Sequence, residues 1–385
     1  MFFFLLTFVS IYTCMNALFY VKTRILFPDQ WLWRGPYIGF LLLMIVSPIC
    51  TRLLERSGYD GAARVFAYSG YFWMGFVFIA FCIFIAVMLV DLAGMGLGML
   101  LPAHIPRLSG KGTTAGLLSI VLVLSVYGVF EARSVRVERV VVHTGKLPPG
   151  VDRLKIAQIS DVHIGLIVGI ERVRLILDRV REENPDLLVS TGDLVDGNAG
   201  KHDGVTEQFQ ALNPRLGKFA VTGNHEMYAG LEESIATTGR YGFTPLRGEA
   251  RVVGNAINIV GVDDPVIGGV APDEAKLLAV GGNGLFTLLL KHRPDPLEQS
   301  LGLFDLQLSG HTHLGQIFPF RYITGRAHPL QNGFHQLEKG SALYTSRGSG
   351  TWGPPMRLLA PPEVTVIELV RPEAPVQYET ATQKR

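Results

Sequence analysis

Residues 305–320 read DLQLSGHTHLGQIFPF. The stretch begins as a short apolar strand at residues 306–308 and then presents two imidazoles, His311 and His313, two positions apart. Alternate residues of an extended segment point in the same direction, so both rings can reach one place. The stretch therefore predicts a buried strand whose end carries metal ligands, provided that neighbouring strands bring further ligands to the same edge.

Four other predicted strands also end in carboxylate, carboxamide or imidazole side chains. The strands cover residues 154–159, 187–190, 218–221 and 286–290, and they are followed respectively by Asp161 and His163, by Asp193 and Asp196, by Asn224 and His225, and by His292. Ligands bind at the carboxyl edge of such a sheet because the strands fix the positions of their terminal loops. Each motif alone could be a turn or a loop histidine, but their common position at strand ends predicts one site.

Seven of these residues offer oxygen or imidazole donors: Asp161, His163, Asp193, Asn224, His292, His311 and His313. A donor set without thiolates suits one or two divalent ions such as Mn, Fe or Zn. A single catalytic zinc site of tetrahedral type uses three protein ligands and keeps one position open. Seven donors therefore favour two metal ions that share one carboxylate.

The first third of the chain is different in composition. Of the 385 residues, 48% are hydrophobic and only 18% are charged, and the excess of apolar residues lies before residue 131. About 20 apolar residues span a bilayer, and four segments approach this length, at residues 2–21, 36–54, 65–90 and 113–130. The first has no basic segment before it and no cleavage site after it, so a removed signal peptide is the poorer interpretation. Residues 92–101, rich in Gly and Met, either extend the third helix or lie at the membrane interface.

The net charge and the positions of the cysteines argue against several other classes of function. The net charge of +2 and the lack of a Lys/Arg block make nucleic acid a poor partner. Cys14, Cys50 and Cys82 all lie in the apolar third, so the polar part has no thiolate metal site or disulfide framework. Flanking basic residues number six on one side of the four spans and five on the other, which weakly favours a cytoplasmic C-terminal part.

The polar part has the alternation of strands and helices that is typical of an α/β fold. Further strands are expected at residues 135–142, 256–262, 343–345 and 364–369, and the clearest helix at residues 170–183. We expect a transmembrane helical domain at residues 1–131, a linker or first strand at 132–150, a catalytic domain at 151–372 and a polar tail at 373–385.

Five segments in this part, ISDVHIG, STGDLVDG, VTGNHEMY, LKHRPD and LSGHTHLGQ, resemble the five motifs of the calcineurin-like metallophosphoesterases. The resemblance covers roughly residues 150–370. It implies a β-sandwich flanked by helices, a site for two divalent metal ions and hydrolysis of a phosphoric ester or pyrophosphate. The segments GHTHLGQI and SRGSGTWGPPMRLLAPPEVTVIEL are similar to a membrane-anchored bacterial branch, some members of which hydrolyse UDP-2,3-diacylglucosamine to lipid X and UMP. The branch implies an integral protein of the bacterial inner membrane.

The same resemblance implies a role for each motif residue. One metal ion would be bound by Asp161, His163 and His313, and the other by Asn224, His292 and His311. Asp193 would bridge the two ions. His225 would face the substrate phosphate as the catalytic residue, where it would either stabilise charge or protonate the leaving oxygen. Asp196 and Glu226 would orient the ligands.

The substrate is less well defined by the sequence. Arg347, Trp352 and Arg357 lie in the Gly-rich stretch before the last predicted strand, where the arginines could hold a phosphate. Ordinary ion pairs of a surface loop are the alternative for these arginines. Aromatic residues after Gln316 and aliphatic residues at 166–168 could border the site and contact a lipid, or could simply be buried in the core.

Three functions remain open on these observations. The first is a membrane-bound hydrolase of a lipid-linked phosphodiester or pyrophosphate, with the bilayer as its partner. The second is a general phosphodiesterase for which the spans are only an anchor. The third is a membrane sensor that binds metal and phosphate without turnover, and the complete set of motifs argues against it.

Overall fold

The computed structural model describes residues 2–100, 107–197, 204–268, 273–280, 282–372 and 378–381, without the side chains of residues 2–5, 280 and 378–381. The chain forms two compact units. One, the helical unit, contains Met1–Phe130 and Gly353–Leu358. The other, the α/β unit, contains Glu131–Trp352 and Leu359–Arg385.

Four helices form most of the helical unit: α1 (Phe2–Thr23), α2 (Trp31–Arg56), α3 (Asp60–Leu100) and α4 (Lys111–Glu131). Among the described residues, three helices are long and apolar enough to cross a membrane, namely α2, α3 and α4. We expected about four spans, and the first expected span lies in α1, which is not one of the three. The Gly- and Met-rich residues 92–100 continue α3, so they extend the third helix.

Small and polar residues bring these helices together. A Cβ on Gly70 of α3 would lie 1.8 Å from the hydroxyl of Ser47 on α2, so the two helices approach closely where both residues are small. Between α1 and α3, the indole N–H of Trp73 donates to the side-chain oxygen of Asn16 at 2.9 Å. The apolar helices therefore pack through specific contacts.

The segment Gly353–Leu358 packs with these helices although it lies far along the chain. The backbone N–H of Arg357 donates to the carbonyl of Gly128 at 2.9 Å. A Cβ on Gly75 would lie 2.6 Å from the sulfur of Met356, so this methionine fills the space that the glycine leaves.

The α/β unit contains two mixed sheets. Thirteen strands lie in the described residues: β1 (Arg136–His143), β2 (Arg153–Ile159), β3 (Leu187–Ser190), β4 (Lys218–Ala220), β5 (Thr244–Pro245), β6 (Glu249–Val253), β7 (Ile257–Gly261), β8 (Phe286–Leu290), β9 (Leu306–Ser309), β10 (Gly333–Gln336), β11 (Ala342–Thr345), β12 (Glu363–Val370) and β13 (Tyr378–Ala381). The seven-stranded sheet has the order β13-β1-β12-β2-β3-β4-β5, and the six-stranded sheet has the order β10-β11-β9-β8-β7-β6.

Apolar residues of both sheets form one buried cluster, including Ile156 and Leu187 from the first sheet and Ile259 and Leu288 from the second. The sheets therefore pack face to face with the main core between them. The helices of this unit are α5 (Ile170–Glu183), α6 (Val205–Gln210), α7 (Asn224–Ala229), α8 (Leu231–Arg240), α9 (Glu274–Val280) and α10 (Arg321–Ala327). The apolar face of α5 packs on the outer side of the first sheet, in a second cluster with residues such as Ala157 and Leu188.

The predicted mixed α/β fold with two sheets is confirmed, and all nine predicted strands are present to within one residue at each end. Helix α5 has the predicted bounds. The prediction missed β5, β6, β10 and β13. The last of these lies in the expected polar tail, where residues 378–381 pair with β1, while residues 373–377 and 382–385 lie outside the described residues.

Candidate active site

The parallel strands of the two sheets carry the site. In the first sheet β2, β3 and β4 run parallel, and in the second sheet β8 and β9 run parallel. The seven predicted ligands follow the carboxyl ends of these five strands: Asp161 and His163 after β2, Asp193 after β3, Asn224 after β4, His292 after β8, and His311 and His313 after β9. All are buried except His311, which is partly exposed.

One group of side chains combines the ends of β2 and β9. The Nε2 atoms of His163 and His313 lie 3.1 Å apart, and Nε2 of His313 lies 3.4 Å from Oδ1 of Asp161. One ligand atom from each of these three residues lies within 4.8 Å of the others. The group matches the set of residues that we expected around one metal ion.

A second group combines the ends of β3, β8 and β9. Oδ2 of Asp193 lies 3.2 Å from Nε2 of His292, and Nδ1 of His311 lies 3.1 Å from the same nitrogen. Oδ2 of Asp193 is also 3.9 Å from Nε2 of His163, which belongs to the first group. The carboxylate of Asp193 therefore lies between the two groups.

The chemistry of these donors fits divalent metal ions. The Oδ1 atom of Asn224 is buried and has no hydrogen-bond partner among the described residues, as expected of an oxygen that binds a cation. Nδ1 of His292 lies 2.8 Å from the carbonyl of Thr191, so this nitrogen carries the proton and leaves the Nε2 lone pair available for a metal. His225 also lies within 4.8 Å of His163 and Asp193, although the sequence predicts a catalytic role for it.

Five of the seven residues have left-handed backbone conformations, with φ values of 49–74° at Asp161, His163, Asp193, His311 and His313. Such conformations are unfavourable for residues with a Cβ and are concentrated at functional sites. The backbone of these loops is therefore strained at the positions whose side chains converge on the site. The sequence motifs gave no indication of this strain.

Two glycines of the motifs lie against ligand side chains. A Cβ on Gly223 would lie 2.2 Å from Oδ1 of Asp193, and a Cβ on Gly310 would lie 2.2 Å from Oδ2 of Asp161. No real Cβ tolerates such distances, so any side chain at either position displaces a carboxylate.

Glu226 supports the bridging position. Its carboxylate accepts hydrogen bonds from the backbone N–H groups of Asp193 at 3.0 Å, Leu194 at 2.8 Å, Val195 at 3.2 Å and Gly223 at 2.6 Å. Burial raises the pKa of Glu226 to about 7, and the negative charge of Asp193 adds to the shift. The residue thus fixes the loops after β3 and β4 relative to each other.

His225 lies between two carboxylates. Its backbone N–H donates to Oδ1 of Asp193 at 2.8 Å, and Nδ1 of its ring lies 3.4 Å from Oδ1 of Asp196. Burial alone would lower the pKa of His225, but the charges of Asp193 and Asp196 outweigh it and raise the pKa to about 9. A cation on Asp193 would cancel part of this effect and leave Asp196 as the carboxylate that favours the protonated ring.

The three candidate substrate residues differ in their surroundings. The guanidinium of Arg347 lies 2.5 Å from Glu138 and 2.6 Å from Glu363, which favours the ion-pair interpretation over phosphate binding. Arg357 is fully buried and belongs to the helical unit. Of the three, only Trp352 lies beside the predicted site residues, with its ring centroid 5.5 Å from that of His225.

Sequence reasoning missed Tyr228, whose ring centroid lies 5.4 Å from that of His225. The signal was present, because Tyr228 ends the VTGNHEMY motif three positions after His225, and such residues are neighbours on a helix.

Two sheets whose parallel strands bring imidazoles and carboxylates together around Asp193 form a site that could hold divalent metal ions. A model of the calcineurin-like phosphoesterase family matches residues 154–315. The chain is 40% identical over 255 residues to an uncharacterized metallophosphoesterase of Aquifex aeolicus, with 65% of this chain and 97% of that protein covered. The chain therefore belongs to the calcineurin-like metallophosphoesterase family, which uses divalent metal ions.

Other relatives include membrane proteins. A transmembrane protein with metallophosphoesterase domain from Danio rerio is 31% identical over 281 residues, which cover 66% of this chain and 61% of that protein.

Among solved structures, a 5′-nucleotidase precursor from Thermus thermophilus matches with a TM-score of 0.36 and 16% identity, over 57% of this chain and 54% of that chain. That likeness is too low to inform the function. The family, the enzyme class and the metal dependence agree with the sequence predictions, and the apolar helices together with the transmembrane relatives indicate a membrane-associated protein.

Proposed function

We propose that the protein hydrolyses a phosphodiester or pyrophosphate bond of a lipid-linked substrate, with UDP-2,3-diacylglucosamine as the specific candidate. The position of Asp193 carries the proposal, because its carboxylate faces both ligand groups and also accepts the N–H of His225. The three membrane-spanning candidates support a substrate that resides in the bilayer.

In this proposal Asp161, His163 and His313 hold one divalent ion, Asn224, His292 and His311 hold the other, and Asp193 contacts both. The ions would neutralise the phosphate and align the attacking and leaving oxygens. The mixed oxygen and nitrogen donors suit Mn, Fe or Zn.

His225 would protonate the leaving oxygen. Nδ1 of its ring faces Asp196, so Nε2 is the nitrogen that we assign to proton transfer. Asp196 keeps the ring in the required orientation and stabilises its protonated form. Glu226 acts indirectly, since it fixes the backbone on both sides of Asp193.

We further propose a location in the bacterial inner membrane, which the similarity to the membrane-anchored bacterial branch supports. We propose that the catalytic domain lies in the cytoplasm, which the six-to-five balance of basic residues supports. The helical domain would comprise residues 1–131, the linker or first strand 132–150, the catalytic domain 151–372 and the tail 373–385. Reporter fusions at the C-terminus that are active on only one side of the membrane would determine the orientation.

The central test incubates the detergent-purified full-length chain with Mn²⁺ and UDP-2,3-diacylglucosamine and measures release of UMP. We expect UMP from the wild type and none from Asp193→Asn. Asp178→Asn, which changes an exposed carboxylate on α5, serves as the matched control. Hydrolysis of soluble nitrophenyl esters without hydrolysis of any lipid-linked substrate would instead indicate a general phosphodiesterase.

A further inference from the structure

Two aromatic side chains flank His225 in the α/β unit. The ring of Tyr228 meets the imidazole at an interplanar angle of 73° and that of Trp352 at 72°, both in edge-to-face geometry. Tyr228 is 59% exposed and Trp352 is 47% exposed, whereas His225 is buried. Two large rings therefore reach solvent beside an imidazole that does not.

The position of Trp352 is fixed by Gln316. Oε1 of Gln316 accepts the backbone N–H of Trp352 at 2.9 Å, and Nε2 of Gln316 donates to the carbonyl of Trp352 at 2.9 Å. Gln316 is buried and follows His313 in the loop after β9. The indole is thus attached to the same loop that carries two of the proposed metal ligands.

Tyr228 is positioned by α7, which begins at Asn224. Because Tyr228 lies three residues after His225 on this helix, the helix itself sets the spacing between phenol and imidazole. Helix α7, which carries site residues, therefore holds Tyr228, while Trp352, in the loop between β11 and β12, is held by its two hydrogen bonds with Gln316.

Exposed aromatic rings at fixed positions bind flat partners by stacking, and they do so with little loss of side-chain entropy. The carboxylates and imidazoles of the site suit metal ions and phosphate, so the two rings suit a different part of the substrate. The geometry points to Tyr228 and Trp352 as a specificity pair that binds a planar aromatic ring, the chemistry of a nucleobase, in the leaving group. The inference rests on the proposed hydrolysis, in which His225 faces the leaving oxygen and its substituent.

The kinetic test uses two phosphodiesters that differ only in the leaving group, methyl phenyl phosphate and methyl hexafluoroisopropyl phosphate. The two leaving groups have similar acidity, but only one contains an aromatic ring. For the purified full-length chain with Mn²⁺, we measure the ratio of kcat/KM for the phenyl ester to that for the fluoroalkyl ester. We expect Trp352→Ala and Tyr228→Ala each to lower this ratio about tenfold, mainly through KM.

Matched variants separate stacking from structural damage. Trp352→Phe retains a ring and should keep most of the preference for the phenyl ester. Val252→Ala removes another exposed apolar side chain, on β6, and should leave the ratio unchanged. If both alanine variants slow the two esters equally, or change neither, the pair does not recognise a ring and the inference is wrong.

Gln316 is a positioning residue in this scheme. Gln316→Ala should lower the ratio as Trp352→Ala does, and the double variant should be no worse than Trp352→Ala alone, because the two residues act as a unit. Additive losses would show that Gln316 does not act through Trp352.

Equilibrium binding distinguishes failure of this inference from failure of the proposed function. Calorimetry with phenylphosphonate and methylphosphonate requires no turnover. Tighter binding of phenylphosphonate that Trp352→Ala abolishes would support the aromatic subsite even if neither ester is hydrolysed. Equal binding of both phosphonates by the wild type would reject the subsite even if both esters are hydrolysed.

Discussion

The carboxylate of Glu226 holds the backbone of Asp193, whose N–H it accepts at 3.0 Å. The same carboxylate accepts three other N–H groups, at Leu194, Val195 and Gly223. A single buried acid therefore satisfies four donors around the bridging aspartate. The geometry of the proposed metal site therefore depends on Glu226, a residue that we do not expect to bind a metal ion.

Glu226→Gln tests this dependence. Glutamine offers one acceptor oxygen and directs an NH₂ group at N–H donors, so we expect the free energy of unfolding to fall by about 2–3 kcal/mol. We expect the affinity for Mn²⁺ to fall about 10- to 100-fold. Thermal unfolding and titration with Mn²⁺ measure the two effects. Glu233→Gln, at an exposed position on α8, is the control, and unchanged metal affinity in Glu226→Gln would limit this residue to a role in the fold.

Gly223→Ala places a Cβ where Oδ1 of Asp193 lies, at 2.2 Å. We expect the variant to lose metal and activity and to lose about 1–3 kcal/mol of stability from the added steric conflict. Gly239→Ala is the matched control, because a Cβ at that helical position meets nothing within 4 Å. Metal content per chain and unfolding temperature are the measurements. Normal metal content in Gly223→Ala would contradict the close approach of this glycine to the ligand.

His225→Ala separates the proposed proton transfer from metal binding. We expect the metal content to stay at the wild-type level, while turnover falls by about 2 to 4 powers of ten for esters with poor leaving groups. Esters whose leaving groups need no proton should be affected much less. A series of aryl esters of increasing leaving-group pKa provides the measurement, together with elemental analysis. Loss of metal from the variant would show that the imidazole is itself a ligand, as its position within 4.8 Å of His163 and Asp193 allows.

Arg347→Met distinguishes the two interpretations of this arginine. The guanidinium pairs with the partly exposed Glu138 and with the fully buried Glu363, so its removal leaves a buried carboxylate without its cation. We expect a loss of about 3–5 kcal/mol in stability and an unchanged KM at a temperature where the variant is folded. Adding Glu138→Gln and Glu363→Gln should recover part of the stability. A raised KM with normal stability would instead support phosphate binding by Arg347.

The sequence predicted the interior of both sheets and missed their borders. The four missed strands, β5, β6, β10 and β13, are the four edge strands of the two sheets. Central strands are covered on both faces and appear as apolar runs, whereas edge strands have one neighbour and carry polar residues. In β6, for example, three of the five residues are exposed. The pattern of hydrophobic residues therefore identified the strands that carry the site. It did not identify the edge strands, because their sequences lack such a pattern.

The seven predicted ligands lie together because the ends of neighbouring strands fix the positions of the residues that follow them. The motifs were sufficient to predict this clustering. The left-handed conformations at His311 and Asp193, and the contact of Gly223 with a carboxylate, could not be predicted in the same way. They arise from the approach of loops from two different sheets, which no local pattern encodes. The ion pair of Arg347 could not be predicted from the local sequence either, because its partner Glu138 lies 209 positions away in the chain.

The strand that follows the last membrane helix has a practical consequence for producing the enzyme without its helices. Helix α4 ends at Glu131, and β1 pairs with β12 along eight residues, from Arg136 with Glu363 to His143 with Val370. A fragment cut at the start of the family match would uncover the hydrogen-bonding edge of β12, which is a template for aggregation. A soluble fragment should therefore begin at Glu131, and it should carry polar substitutions in Gly353–Leu358, because that segment otherwise packs with the helices.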